Sequence, residues 1–407
     1  MVYQDGMTPN SEFVRRRGPD LEHVVRAHGF TFVHFLLHVT GKPTPQPFVD
    51  GDIYCVYNGE IYNRSYSHTD GEVIIPLYRQ HGPSFAEHLD GEFAIALYDF
   101  EKGIYVFCTD AFATKPLWVN GLNVASYQSC LGGYELSPNT IMINTTNGNR
   151  EIRPVVRFDF NHQHKDTYDD WIAAFEAAIR KRAYPNGFIG LSSGYDSGAI
   201  ACELSRQAIN FAVYGVAGSE DVRMLQTRLE RHGGKLLTCS QAGYESLKKK
   251  IKTIAEEYDY STVPGGPIHC PRMTDDWGAV GSAVLFEQAT SDGRRVCLSG
   301  QGADEILSDY SLYPDVSTLH GIFPEKMKPW ANFQGGCQRA YLRKEEHIAG
   351  AYGVEARYPF LDFMVVQEFL WLDNRLKNQT YKAPLDHYLR RQNYPFVEGR
   401  KIGFSAI

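Results

Sequence analysis

The sequence predicts an α/β protein made of two successive domains, and three observations carry that expectation. At 407 residues the chain is long for a single hydrophobic core. Up to about residue 160 it reads as short strands separated by turns, with few helices. From residue 161 onward strands and helices alternate, the pattern of a parallel sheet with helices on both faces. The expected division is therefore 1–160 and 161–407.

The first part contains "FTFVHFLLHV", "DIYCVYNGEIY", "GEFAIALYDF", "GIYVFCTD" and "NTIMIN". These runs are rich in β-branched and aromatic residues, and Gly, Asp or Asn bounds most of them. Around "GEVIIPLYRQHG" the apolar positions recur at helical spacing and a glycine closes the segment. The polar stretch "NHQHKDTYDD" is the expected linker. After it come the amphipathic helix "DDWIAAFEAAIRKRA", the strand "NGFIGLSS", the helix "SGAIACELSRQA" and the strand "NFAVYGV". The alternation continues with "DVRMLQTRLERHG", "KLLTCS" and the helix around "YESLKKKIKTIAEEY". No internal repeat interrupts it.

Composition narrows the function classes. Forty-one Lys and Arg against 48 Asp and Glu give a net charge of −7, which speaks against a nucleic-acid partner. The eight cysteines are scattered singly with no C-x-x-C pair, so neither a zinc site nor a dithiol redox motif is expected. Reduced, mostly buried thiols fit instead. No apolar run approaches the roughly 20 residues that span a bilayer. The first residues lack the apolar core of a signal peptide, and no hydrophobic segment follows Arg15–Arg17 as a twin-arginine signal requires. No membrane partner is expected, and the expected compartment is the cytoplasm.

"LSSGYDS", residues 191–197, follows a short apolar strand and precedes a helix. Small residues let backbone N–H groups approach phosphate oxygens, and serine hydroxyls add donors. Asp196 fits such an anion site if a divalent cation bridges it to phosphate, whereas the loop taken alone reads rather as a Ser/Gly-rich turn with Asp196 as a helix cap. "VCLSGQGADE", residues 296–305, repeats the design with Asp304. Two strand-end glycine loops, each with an aspartate, point to two ligands of one cation.

These loops resemble a known family. "LSSGYDS" is similar to the S-G-G-x-D-S pyrophosphate loop of ATP pyrophosphatases, and "LSGQGADE", "YGVEARYPFLD", "GSED" and "GRKIGFS" match asparagine synthetases in order. "RRRGPD", "YNGEIYN", "TDGEVI", "HLDGEFAIALYD" and the D-x-x-x-x-K-P-L run from Asp110 resemble the glutamine amidotransferase domain of the same family. The resemblance covers nearly the whole chain. It implies an N-terminal Ntn-hydrolase-like α/β/β/α sandwich followed by a Rossmann-like parallel-sheet ATP pyrophosphatase domain.

The resemblance further implies ATP and Mg²⁺ as cofactors, and a carboxylate activated by adenylation that then acylates ammonia or an amine. Ser192, Gly194, Asp196 and Ser197 would hold pyrophosphate, and Asp196 with Asp304 would bind Mg²⁺. Leu191, Tyr214, Ser299 and Gly300 would contact adenosine, mainly through backbone. Lys401 aligns with the lysine that steadies the adenylate and the tetrahedral intermediate. Ser193 replaces a family glycine, which is tolerable if φ is negative there. Gln301 stands where relatives carry glutamate or tyrosine, and an amide cannot serve as a general base. Glu346 is the better candidate base, with a solvated helix-face charge as the alternative, and Glu355 with Arg357 would form a structural or substrate-orienting pair.

The amidotransferase half departs further. The family nucleophile is an N-terminal cysteine, but this sequence begins Met1-Val2 and shows no cysteine before Cys55. The arginine that grips the glutamine carboxylate aligns with Leu36. Asn58 and Gly59, the oxyanion-hole pair, persist with Glu60 and Asp70, which would bind the glutamine amine. The expectation is a degenerate amidotransferase domain without glutaminase activity. An asparagine-forming synthetase, an intramolecular amide closure of β-lactam synthetase type, and a non-catalytic binding protein all stay open. Homodimer formation stays open as well.

Overall fold

The computed structural model describes residues 1–218, 221–259, 272–308 and 322–399. The chain divides into two compact units, Met1–Arg157 and Phe158–Ile407.

The first unit contains two six-stranded sheets, each antiparallel throughout. Strand Gly91–Asp99 shows how they pack, because successive side chains of a strand point to opposite faces. Ala94, Ala96 and Tyr98 meet Phe30, Phe32, Val119 and Val124 of the other sheet. Phe93, Ile95 and Leu97 face the other way, into a second core with Ile74, Ile75, Leu77 and Tyr78 of helix Ile74–His81. With both faces covered, the strand must be apolar almost throughout, and it is. A third cluster, Val14, Ala125, Tyr127 and Cys130, places helices Val14–Arg17 and Gln128–Leu131 over the outer face of the other sheet. The layer order is helix, sheet, sheet, helix, the expected α/β/β/α sandwich. Strands of three residues, such as Val2–Gln4, Trp118–Asn120 and Asn123–Ala125, escaped the sequence reading because three positions cannot display an alternation.

The second unit is built on a five-stranded parallel sheet. Its spatial order is Lys235–Thr238, Phe211–Ala217, Gly187–Gly190, Val296–Leu298, Glu355–Arg357. In chain order that is 3-2-1-4-5, so the direction of winding reverses between Gly187–Gly190 and Val296–Leu298. At such a reversal the helices that follow the two strands go to opposite faces and leave a crevice at the carboxyl ends. On helix Asp169–Arg182, Trp171 stacks on Phe175, Phe175 stacks on Phe360, and Arg182 pairs with buried Asp362 at 2.7 Å. Burial pushes the Asp362 carboxyl up, but Arg182 and Lys181 outweigh it and hold it below its usual range. The "YPFLD" stretch thus anchors the helix layer.

Candidate functional site

Both strand-end loops open into that crevice. Residues 191–194 run from strand Gly187–Gly190 to helix Tyr195–Arg206, whose N-cap is Gly194 with no side-chain cap. The loop is held by its own serines: Ser192 N donates to Ser197 Oγ at 2.9 Å, and Gly194 N donates to Ser192 Oγ at 3.1 Å. Ser193 keeps a negative φ, and its buried hydroxyl accepts from Asp221 N at 3.1 Å. The extra Cβ therefore brings a useful acceptor into the turn instead of strain.

Arg228, fully buried on helix Val222–His232, donates through Nη1 to Ser192 O at 2.6 Å and Gly194 O at 2.7 Å. Its Nε donates to Pro395 O at 2.9 Å. Two loop carbonyls that would oppose an approaching anion are thereby neutralised by a fixed guanidinium.

The second loop leaves strand Val296–Leu298 and enters helix Ala303–Leu307. Ser299 Oγ donates to Glu345 Oε2 at 2.7 Å and accepts from Gln301 N at 3.1 Å. Glycine is required twice here. A Cβ on Gly300 would lie 3.0 Å from Cβ of Asp196, and Gly302 has φ 92 with Leu361 where its Cβ would go. The two loops therefore touch at Gly300 and Asp196.

Asp196 and Asp304, one from each loop, face a single cation. Lys382 Nζ lies 2.5 and 2.6 Å from the Asp196 oxygens and 2.8 Å from Asp304 Oδ1. Tyr381 OH donates to Asp304 Oδ1 at 3.1 Å. An ammonium centred between the carboxylates shows that one positive ion fits both. Mg²⁺ is commonly held by one or two carboxylates, with water and phosphate oxygens completing its octahedron. The pair suits that mode, and no cluster of three or more His, Cys, Asp or Glu able to cage a metal occurs among the described residues.

The first unit places its candidate pocket on strand Ile53–Ile61 and the turn of helix after Thr69. Asp70 is buried and accepts from Tyr57 OH, from Ile61 N at 2.8 Å and from Gly71 N at 2.9 Å. Glu60 accepts from Thr40 Oγ1 at 3.0 Å. Asn58 Nδ2 is buried and hydrogen-bonded to nothing among the described residues. Gly59 has φ 139, and a Cβ there would collide with Glu92 O. Leu36 ends strand Phe30–Leu36 and offers no charge.

Comparison with known proteins finds a match for each of the two units. A model described as a glutamine amidotransferase domain matches residues 4–145, and one described as asparagine synthase matches residues 172–335. An asparagine synthetase (glutamine-hydrolyzing) of Arabidopsis thaliana is 28% identical over 465 residues, covering 98% of this chain and 76% of its own. The asparagine synthetase of Asparagus officinalis is 28% identical over 469 residues, 98% of this chain and 74% of its own. A protein of Methanocaldococcus jannaschii assigned as an asparagine synthetase is 28% identical over 390 residues, 83% of this chain and 68% of its own. Over nearly its whole length the chain is similar to asparagine synthetases.

At the level of the asparagine synthetase family, this similarity supports an ATP-dependent ligase that forms amides. Asp196 and Asp304 lie inside the asparagine synthase match, whereas Glu346, Glu355 and Lys382 lie beyond its end at residue 335. For these the geometry speaks alone. Glu355 accepts from Arg357 Nε at 2.7 Å, so the two form a pair, and Arg357 Nη1 reaches Arg182 O at 3.2 Å.

Glu346 is only 1% exposed, and its Oε1 accepts from Tyr358 OH at 2.8 Å. It is not a solvated helix-face charge. The carboxylate that reaches the loop is its neighbour Glu345, about 100° further round helix Gly336–Ala351. Tyr214 turns its hydroxyl to Asp292 at 2.6 Å, while its carbonyl accepts from Leu191 N at 2.8 Å. Lys401 lies outside the described residues.

Sequence reasoning missed Lys382, Arg228 and Glu345. Arg228 did leave a signal: it falls with Leu225 and Leu229 on the apolar stripe of its helix, where an arginine needs a buried partner. Lys382 left none, since a lysine ahead of a helix reads as a surface charge.

Proposed function

We propose that this protein adenylates a carboxylate with ATP, releases pyrophosphate, and passes the acyl group to ammonia or an amine. One observation carries the reading: loops from adjacent strands, at the reversal of the sheet, bring Asp196 and Asp304 onto one cation. A substrate carboxylate oxygen attacks the α-phosphorus as the bond to the bridging oxygen breaks, and pyrophosphate leaves. The nitrogen then attacks the acyl carbon, a proton is lost, and AMP departs with the C–O electron pair. Mg²⁺ bound at the two aspartates would neutralise charge on the β,γ-phosphates.

This chain's own part is to hold and orient. The N–H groups of the 191–197 turn and the serine hydroxyls would receive pyrophosphate, with the carbonyls tied back by Arg228. Leu191, Tyr214, Ser299 and Gly300 would frame the adenosine, and Lys401 would steady the adenylate and the tetrahedral intermediate. Glu346, enclosed against Tyr358, is poorly placed to take the proton directly. Glu345 would keep the second loop in position through Ser299.

We also propose that ammonia or a substrate amine, not glutamine, supplies the nitrogen. Leu36 cannot pair with a carboxylate, and Asp70 is already engaged by a phenol and two backbone amides. Cys55, Cys108, Cys202, Cys239 and Cys297 carry free thiols, which fits a reducing compartment. No helix among the described residues is long and apolar enough to cross a membrane.

The test is product analysis with ATP, Mg²⁺, aspartate and ammonium, followed by other carboxylates. AMP and pyrophosphate are expected in step with amide. ADP and phosphate, or glutamine supporting the reaction as well as ammonium does, would contradict the corresponding part.

A further inference from the structure

Lys382 belongs to neither strand-end loop, yet its side chain, 2% exposed, joins them. Its Nζ contacts both Asp196 oxygens and one Asp304 oxygen within 2.8 Å. The backbone there is left-handed, φ 48 and ψ 50, a disfavoured conformation for any residue with a Cβ. A non-glycine held in that region at a polar site commonly marks function. Helix Ala383–Arg391 begins at the next residue, with proline in its first turn, so the lysine is presented from a rigid end.

Two carboxylates that face one point repel each other, more so when water is scarce. The ammonium cancels that repulsion. With its Nζ within 2.8 Å of three carboxylate oxygens, the lysine fills the site as an internal cation.

We propose that Lys382 closes the Asp196–Asp304 site to free divalent metal and yields it only to metal that arrives with a polyphosphate. The proposal rests on the reading of these aspartates as the cation site. Exchange with metal alone would leave a buried ammonium unpaired beside a divalent ion, a heavily penalised arrangement. A polyphosphate changes the balance, because its oxygens give the displaced ammonium a new anionic partner. Metal and nucleotide therefore bind together, and the carboxylates never face each other without a cation between them.

The experiment titrates Mn²⁺, followed by electron paramagnetic resonance, into the full chain without nucleotide and then with a nonhydrolysable ATP analogue. The wild type should leave Mn²⁺ free until the analogue is added. Lys382→Met should bind Mn²⁺ without nucleotide at least about tenfold more tightly than wild type, because the competing internal cation is gone. Its melting temperature should also rise with Mn²⁺, while Lys382→Arg should keep the exclusion. Equal Mn²⁺ affinity in wild type and Lys382→Met overturns the proposal. If Lys382→Met does not fold, the wild type decides alone: Mn²⁺ bound without nucleotide and lost in Asp304→Asn overturns it. Failure of the synthetase reading shows elsewhere, as Mn²⁺ and nucleotide bound together with no pyrophosphate released from ATP. That result leaves the nucleotide-free exclusion standing.

Discussion

Asp70 in the first unit and Asp196 in the second both stand in the first turn of a helix, yet their partners differ in kind. Asp70 is satisfied by a phenol, the Thr69 hydroxyl and two backbone amides, neutral donors of which the amides cannot leave without unfolding the turn. Asp196 is satisfied by the ammonium of a side chain, a charged donor on a flexible stem that another cation can replace. The first arrangement builds a scaffold. The second builds a site, because its charge balance is kept by an exchangeable partner.

The largest expected effect breaks the second arrangement. Asp196→Ala removes one ligand of the bridging cation and should slow pyrophosphate release from ATP at least about a hundredfold, in line with the loss of one charge-stabilising group in a closed site. Asp304→Ala should do the same. Normal release from either variant, measured with a coupled pyrophosphate assay, would remove the cation site from the reaction.

Next in size is Arg228→Leu, which leaves the carbonyls of Ser192, Gly194 and Pro395 without their shared donor. Buried groups left unpaired cost about 1–3 kcal/mol each, so a loss of roughly 3 kcal/mol in urea unfolding of the second unit is expected. The KM for ATP should rise in parallel. An unchanged urea midpoint would show that the loop holds itself.

Asp70→Ala tests the scaffold side of the comparison. It should destabilise the first unit by about 2 kcal/mol, since Ile61 N and Gly71 N lose an acceptor. Ammonia-dependent turnover at a temperature where the variant is folded should be unchanged. A selective loss of turnover would show that Asp70 does more than hold the turn.

The smallest effect concerns pH. Burial, with the terminal ammonium and His23 nearby, pushes His34 down to about 3, and its Nδ1 accepts from Gln46 N at 3.1 Å. The folded form therefore keeps this histidine neutral while the unfolded chain takes up a proton at about 6.5. Stability is lost as pH falls through that window, from about 6.5 towards 3, with a slope of at most ~1.4 kcal/mol per pH unit from this group. His34→Gln should reduce the slope of unfolding free energy against pH, and an identical slope would refute the assignment.

Much of this was legible before any coordinate. The strand Gly91–Asp99, helix Ile74–His81 and helix Asp169–Arg182 announced themselves by period and length, because local pattern and burial agree in them. Asp196 and Asp304 announced themselves by position after apolar strands. Glu346 and Glu345 show the limit: adjacent on one helix, they differ only in which way they face, and a run of two glutamates does not say which reaches Ser299.

By itself, then, the sequence determined the fold class and the two aspartate loops, since each depends on residues near one another along the chain. The tertiary structure alone decided the strand order 3-2-1-4-5, the grip of Arg228 on the loop carbonyls and the placing of Lys382 between the aspartates. Lys382 is separated from Asp196 by 186 positions, and nothing local marks it. Contacts at that separation form only because packing closes the chain upon itself, and local periodicity carries no record of which distant side chains then meet.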